Sequence, residues 1–343
     1  MIADFTWRDA GRTVVFRRGG VGGALELLRE QGFTEFELLS TERALAEAPT
    51  LTEAASRVHE VEPGQVPTAA AALVDALAPP HDASKGVRAR PLVALGGGRV
   101  VDVAKALAAV SGVTAAAIPT TMSGAEMTAS HRLPAGAEGR VRGMVRPTLV
   151  IADPEAMTSQ PEEQLRASSM NALAHGADTL YLPLSNPVAE MTALRGAELI
   201  AVALDEGQEG RNRAALALGS LLCGYAIDSA GMGLHHLVCQ ALVRLCGTPH
   251  AEINAAILPH SVALLAEQAP EPYEQLAKSL GSDRAELPKR IEELGHPPRL
   301  GEVGGDASKL DEAIEAMLQR PELQWVPRPP NRAELRELVE RAW

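Results

Sequence analysis

The chain has 343 residues, a hydrophobic share of 46% and only 3% aromatics. This is length enough for two domains and apolar material enough for a substantial core, built mainly from Ala and Leu, so a disordered chain is excluded and a β-sandwich disfavoured. A formal net charge of −12 argues against nucleic acid as a partner, since neutralising phosphates needs clustered Lys and Arg.

The opening MIADFTWRDAGR carries neither the basic nor the apolar stretch of a secretory leader, and no apolar run reaches membrane-spanning length. A cytoplasmic protein without a membrane partner is expected. RTVVFRRGG predicts a strand ending at glycines, VGGALELLREQG an amphipathic helix closed by Gly32, and EFELLST a second strand. PTAAAALVDALAPP predicts a helix with Pro67 near its first turn, and PPHDASKGVRARP an exposed loop of mixed charge. PLVALGGG, RVVDVAKALAAV, AAAIPTT and TLVIADP then predict strand, helix, strand and, after a loop, a further strand. Such alternation predicts a largely parallel sheet flanked by helices over residues 1–153. From about Pro161 only helical periodicity follows, broken at PLSNP, DEGQEG, GTPH, GHPP and QRPELQWVPRPPN, so residues 154–343 are expected to form a helical domain. Cys223, Cys239 and Cys246 are too few for a disulfide framework and read as free thiols of a reducing compartment.

LVALGGGRVVDVAKA is the most mechanical motif. An apolar strand runs into Gly96, Gly97 and Gly98, and a helix carrying Asp102 and Lys105 in its first turns starts at once. Glycines let backbone approach a ligand closely, and the N–H groups of a helix start favour a pyrophosphate. A tight strand–helix turn explains three glycines equally well, and this is not the GxGxxG fingerprint. AIPTTMSGAEMT, the next strand and loop, offers the hydroxyls of Thr120, Thr121, Ser123 and Thr128 around Gly124. Loops carry such residues for turn reasons too, but beside the glycine turn they read as a second wall for a nucleotide. The second strand ends LLSTER, so Thr41 stands where an acidic residue would hold an adenosine ribose. Glu42 follows and suits NADH; Arg43 suits NADPH.

NALAHGADTLY places Asn171 and His175 four residues apart on one helical face; GLHH ends at His236 and TPH at His250. These residues read as a metal site, the remains of one, or hydrogen-bonded core polars. His235 could face the opposite side of its helix, and His260, in ILPHSVALL, reads as structural.

Together these motifs resemble the iron-containing alcohol dehydrogenase superfamily and, within it, the maleylacetate reductases. The likeness runs from TVVF to the LPH ending at His260, through MNALAH, LSNPVAEM, GLHHLVC and PHAEINAAILPH. It implies a dehydroquinate synthase-like fold: an α/β N-terminal dinucleotide-binding domain, an all-α C-terminal domain, and catalysis in a cleft between them, in a homodimer. It implies NADH or NADPH as cofactor, held by Gly97, Gly98, Arg99, Asp102, Thr120, Thr121, Ser123 and Thr128, with Thr41 where NAD-preferring relatives often have Asp. Arg99 replaces the Ser of the family's phosphate turn. Metal-dependent relatives hold Fe or Zn with one Asp and three His. The matching positions are Asn171, His175, His236 and His250, so the anionic ligand has become an amide and a hard cation should bind more weakly. The resemblance makes Asn171, His175, His236 and His250 the catalytic candidates, with His235 beside them, facing a small carbonyl or oxo-dicarboxylate substrate. The implied activity is NAD(P)H-dependent reduction of maleylacetate to 3-oxoadipate in aromatic compound degradation. The alternatives are a metal-dependent alcohol or aldehyde dehydrogenase of the same superfamily and a non-catalytic nucleotide-binding relative. Four residues after His236 the family commonly carries a second His, for proton transfer; here Gln240 follows Cys239, and Gln is neither acid nor base near neutral pH. His235, Tyr181 or a water could supply that proton. Two substrate carboxylates would want Arg or Lys, and Arg132, Arg140 and Arg142 follow the threonine loop without marking themselves out.

Overall fold

A computed structural model describes residues 5–9, 11–77, 89–141, 143–248 and 250–343, the side chains of 5–9, 138, 250 and 251 excepted. Most of the predicted PPHDASKGVRARP loop, and Arg142, lie outside the described residues. The chain forms two compact units, Met1–Ser159 and Gln160–Trp343.

The first unit is a seven-stranded sheet. Its elements are β1 (Phe5–Asp9), β2 (Arg12–Phe16), α1 (Ala24–Glu30), β3 (Glu37–Ser40), α2 (Glu42–Glu47), α3 (Pro49–Ala54), β4 (Arg57–Glu60), α4 (Val66–Val74), β5 (Leu92–Gly96), α5 (Gly98–Ser111), β6 (Ala115–Pro119), β7 (Leu149–Ala152) and α6 (Pro154–Met157). Strand order is β1-β2-β7-β6-β5-β3-β4; only β1 pairs antiparallel. Side-chain alternation along the central strands sends Leu92 and Ala94 into a core with α4 and α5, and Val93 and Leu95 into another with α1, Phe33 and Phe36. All five predicted strands are present, and two more that sequence reading did not give: β1 and β4. β4, RVHE, has no apolar run because it is an exposed edge, where charged side chains discourage further pairing. The first unit runs past the boundary expected at residue 153 because α6 stays with the sheet. Asp153 caps α6 through Glu155 N–H (3.1 Å) and also accepts from Val21 N–H (3.2 Å).

The second unit is all helix: α7 (Glu162–Thr179), α8 (Pro187–Asp205), α9 (Gly207–Gly210), α10 (Arg213–Ala230), α11 (Leu234–Cys246), α12 (His250–Gln268), α13 (Pro270–Ser279), α14 (Leu287–Gly295), α15 (Leu310–Leu318) and α16 (Arg332–Ala342). The breaks read from the sequence are capping signals. Asn186 caps α8 by accepting from the Val188 and Ala189 N–H groups with Pro187 at the first turn, and Asn212 caps α10. Small residues set the packing: a Cβ on Gly196 of α8 would lie 2.6 Å from Cys223 Sγ and 2.8 Å from Gly219 O of α10. α10 and α11 meet at 96° across Gly231-Met232-Gly233. Among the described residues no single helix is long and apolar enough to cross a membrane.

Candidate active site

In the sheet unit three turns converge at the carboxyl ends of β3, β5 and β6. Ser40 is in register with Leu95 and Gly96 with Pro119; Ser40 Oγ donates to Leu95 O (2.8 Å) and Thr120 N–H to Gly96 O (3.0 Å). From β3 the chain runs outward to β4, and from β5 the other way to β6, so Thr41 and the glycine turn flank the switch point where such sheets take ligands. The glycines answer first to the threonine loop. A Cβ on Gly97 would stand 2.8 Å from Thr121 Cγ2, and one on Gly98 2.7 Å from both Cβ and Oγ of Ser123. Gly97 is the N-cap of α5 and no side chain satisfies that helix start, while the buried Thr121 Oγ1 beside it has no hydrogen-bond partner. Open N–H groups, an unpaired hydroxyl and backbone bare of side chains fit the pyrophosphate of a dinucleotide. Arg99 follows in the first turn of α5 and its buried Nε also lacks a partner.

Lys105 is the fastener of this region. Wholly buried, its Nζ donates to Asp102 Oδ1 (2.8 Å), Ala125 O (2.9 Å), Thr128 Oγ1 (3.3 Å) and Ser130 O (2.6 Å). Asp102 and Thr128, expected to touch cofactor, therefore also pin the threonine loop to α5. Sequence reading passed over Glu126 in that loop. Its carboxyl is fully buried and takes no hydrogen bond from another residue; burial pushes its pKa up to about 7, with its own backbone N–H, Lys105 and Arg12 opposing.

In the helical unit Asn171 and His175 lie one turn apart on α7, both buried. Three residues on, Asp178 is the organising group. It accepts from the backbone N–H groups of Gly233 (3.1 Å), His235 (3.3 Å) and His236 (3.3 Å), from His236 Nδ1–H (2.7 Å) and from Tyr181 O–H (3.3 Å). One carboxylate thus caps α11 from a neighbouring helix and aims His236, favouring the tautomer with Nε2 as the basic nitrogen. Burial raises the Asp178 pKa, countered by His235 and the N–H bonds. Tyr181 Oη accepts from Leu234 N–H (2.5 Å), and burial beside Asp178 holds its pKa well above 10, so its proton stays committed to Asp178. The His175 and His236 rings stack, centroids 4.7 Å apart and planes within 8°. Gly233 is obligatory here: a Cβ would lie 2.1 Å from Tyr181 Oη and 2.8 Å from Asp178 Cγ. Asp178 stands inside the NALAHGADTLY stretch, and an acid three residues after a His on a buried helix face was the available signal for it.

His235 goes elsewhere. It is 1% exposed, with Nδ1 3.1 Å from Ser261 Oγ and Nε2 3.0 Å from Asn254 Oδ1, so both of its ring nitrogens are engaged within the core. His250 opens α12 and its side chain lies outside the described residues. Gln240, one turn after His236, donates to Met232 Sδ (3.3 Å) and accepts from Arg320 Nη1 (3.4 Å). Arg140 is exposed.

Two family models match: "Iron-containing alcohol dehydrogenase" over residues 15–161 and "Fe-containing alcohol dehydrogenase family, C-terminal" over residues 166–343. A maleylacetate reductase of Rhizobium sp. strain MTP-10005 is 30% identical across 99% of this chain and 97% of its own length, and one of Burkholderia cepacia is 34% identical across 73% of each. The crystal structure of maleylacetate reductase from Rhizobium sp. strain MTP-10005 superposes with a TM-score of 0.82 at 28% identity, covering 100% of this chain and 99% of that one. An iron-containing alcohol dehydrogenase from Corynebacterium glutamicum gives 0.83 at 27% identity, covering 100% and 97%. The chain belongs to the iron-containing alcohol dehydrogenase family. It is an NAD(P)-dependent oxidoreductase.

The family's divalent metal fits less well. A metal bound through imidazole lies near the plane of that ring, and two parallel stacked planes share no such point. Asn171 offers only a neutral oxygen, where a carboxylate would suit a hard divalent cation better. Asn171, His175 and His236 would hold such an ion through neutral donors alone, and the side chain of the fourth matching position, His250, lies outside the described residues.

Proposed function

We propose that this chain is an NAD(P)H-dependent maleylacetate reductase, forming 3-oxoadipate in aromatic compound degradation. The observation that carries the reading is the buried Asp178–His236 pair with His175 stacked on it, supported by relatives bearing that activity's name at 30–34% identity. The nicotinamide supplies the hydride. Reduction of an alkene conjugated to a ketone leaves an enolate, which needs hydrogen-bond donors and then a proton. Asp178 stabilises the imidazolium form of His236, and the stacked His175 adds a second imidazole; Asn171, one turn earlier, can donate through its amide. Gln240 cannot supply a proton, and this reading assigns that role to His236, which Asp178 holds in place. Arg99, Thr120, Thr121, Ser123 and the start of α5 would hold the cofactor phosphates, with Thr41 toward its adenosine. As the resemblance implies, the enzyme would be a cytoplasmic homodimer.

The test is oxidation of NADH and of NADPH with maleylacetate, before and after chelation and again with iron or zinc resupplied. Turnover that survives chelation is expected. Turnover restored only by metal would support the metal-dependent reading, and its absence throughout would remove maleylacetate as the substrate.

A further inference from the structure

An oxo-dicarboxylate needs a cation, and the helical unit offers one that the sequence did not mark. After α15 the chain makes a 3-10 turn over Pro321–Trp325 that packs against α11, with Trp325 Cζ3 3.5 Å from where a Cβ on Gly231 would stand. This seats Arg320 beside α11. Glu322 takes one edge of its guanidinium, Nε to Oε2 (3.1 Å) and Nη2 to Oε1 (2.9 Å). The side-on grip leaves the Nη1 side for another acceptor, and in this structure that acceptor is Gln240 Oε1 at 3.4 Å. Gln240 is one helical turn from His236, on the same face of α11. The pair is half-buried, with side-chain exposures of 34% for Arg320 and 24% for Glu322, so the guanidinium is partly shielded yet reachable.

Resting on the proposed reductase reading, we infer that Arg320, oriented by Glu322, binds the substrate carboxylate remote from the histidines, with Gln240 as the neutral group that hands the guanidinium over. A histidine at 240 would place a titratable ring against Arg320. A glutamine lets the two sit together uncharged against charged. Gln240 and the cation that touches it thus act as one specificity device, selecting carboxylate-bearing substrates over simple alcohols and aldehydes.

The test compares wild type with Arg320→Gln, Arg320→Lys and Glu322→Gln, using steady-state kinetics with maleylacetate and calorimetric binding of adipate, a saturated dicarboxylate that cannot be reduced. Loss of one charge-assisted contact should raise KM and weaken adipate binding about ten- to a hundredfold in Arg320→Gln. kcat should stay within about threefold, NADPH affinity should hold, and Arg320→Lys should recover part of the loss. Glu322→Gln should show a smaller rise. KM and adipate affinity unchanged in Arg320→Gln, or a fall in thermal stability shared by all variants with no change in KM, would overturn the inference. Adipate binding that depends on Arg320 without maleylacetate turnover would leave the anchor standing and remove only the reductase reading. Neither binding nor turnover in wild type would remove both.

Discussion

Glu126 is a carboxyl that folding takes wholly out of water and gives no hydrogen bond from another residue. Its pKa rises from the ordinary 4.5 to about 7, so between those values the folded chain keeps a proton that the unfolded chain has released. The contribution is therefore full below pH 4.5 and is lost as pH rises through 7, a separation worth about 3 kcal/mol. Glu126→Gln keeps the shape and cannot ionise. Melting curves should show it close to wild type at pH 5 and more stable at pH 8; an equal difference at both would mean the carboxyl is already paired in solution. Because Glu126 sits in the loop that Lys105 fastens to α5, the KM for NADPH should show the same pH trend more weakly.

At the scale of elements, the start of α11 is the joint on which the histidines depend. A helix N-terminus at a 96° corner has unsatisfied N–H groups, and Asp178 reaches across from α7 to three of them while holding His236. Only Gly233 leaves room for that reach. Gly233→Ala should therefore cost several kcal/mol, on the order of other overpacked buried sites, and lower kcat together with stability. Asp178→Asn keeps the volume but cannot stabilise an imidazolium, so it should lower kcat on the order of a hundredfold and move the alkaline limb of its pH profile to lower pH, at a smaller cost in melting temperature. Stability and pH profile moving together in both variants would count against a separate chemical role for Asp178.

For the molecule as a whole, the sequence made the architecture legible wherever apolar periodicity was strong. The five central strands, the glycine turn and the run of helices after Pro161 were all there to read, because buried parallel strands and capped helices leave dense local signals. β4 escaped because an exposed edge has no apolar run, and α2 and α3 because they are short. The candidate site was half legible. Asn171, His175 and His236 could be picked out by type and spacing, but which ring is satisfied in the core and which is aimed by a carboxylate depends on partners 26 to 58 residues away, as His235–Ser261 and His236–Asp178 show. Arg320 is the extreme case: 80 residues separate it from Gln240, and nothing local distinguishes it from the other arginines.

The α8–α10 crossing has one more consequence. Cys223 lies between the glycines that let those helices touch, Cys239 and Cys246 are buried in α11, and the sheet unit has no cysteine at all. Burial holds Cys223 up at about 12 and Cys246 at about 11, so none of the three presents a thiolate to a reagent while the fold is closed. Alkylation of the unmodified protein, followed by mass spectrometry, is then a clock for the opening of the helical unit alone. Ligands that slow it are acting on that unit, whichever part of the chain they contact.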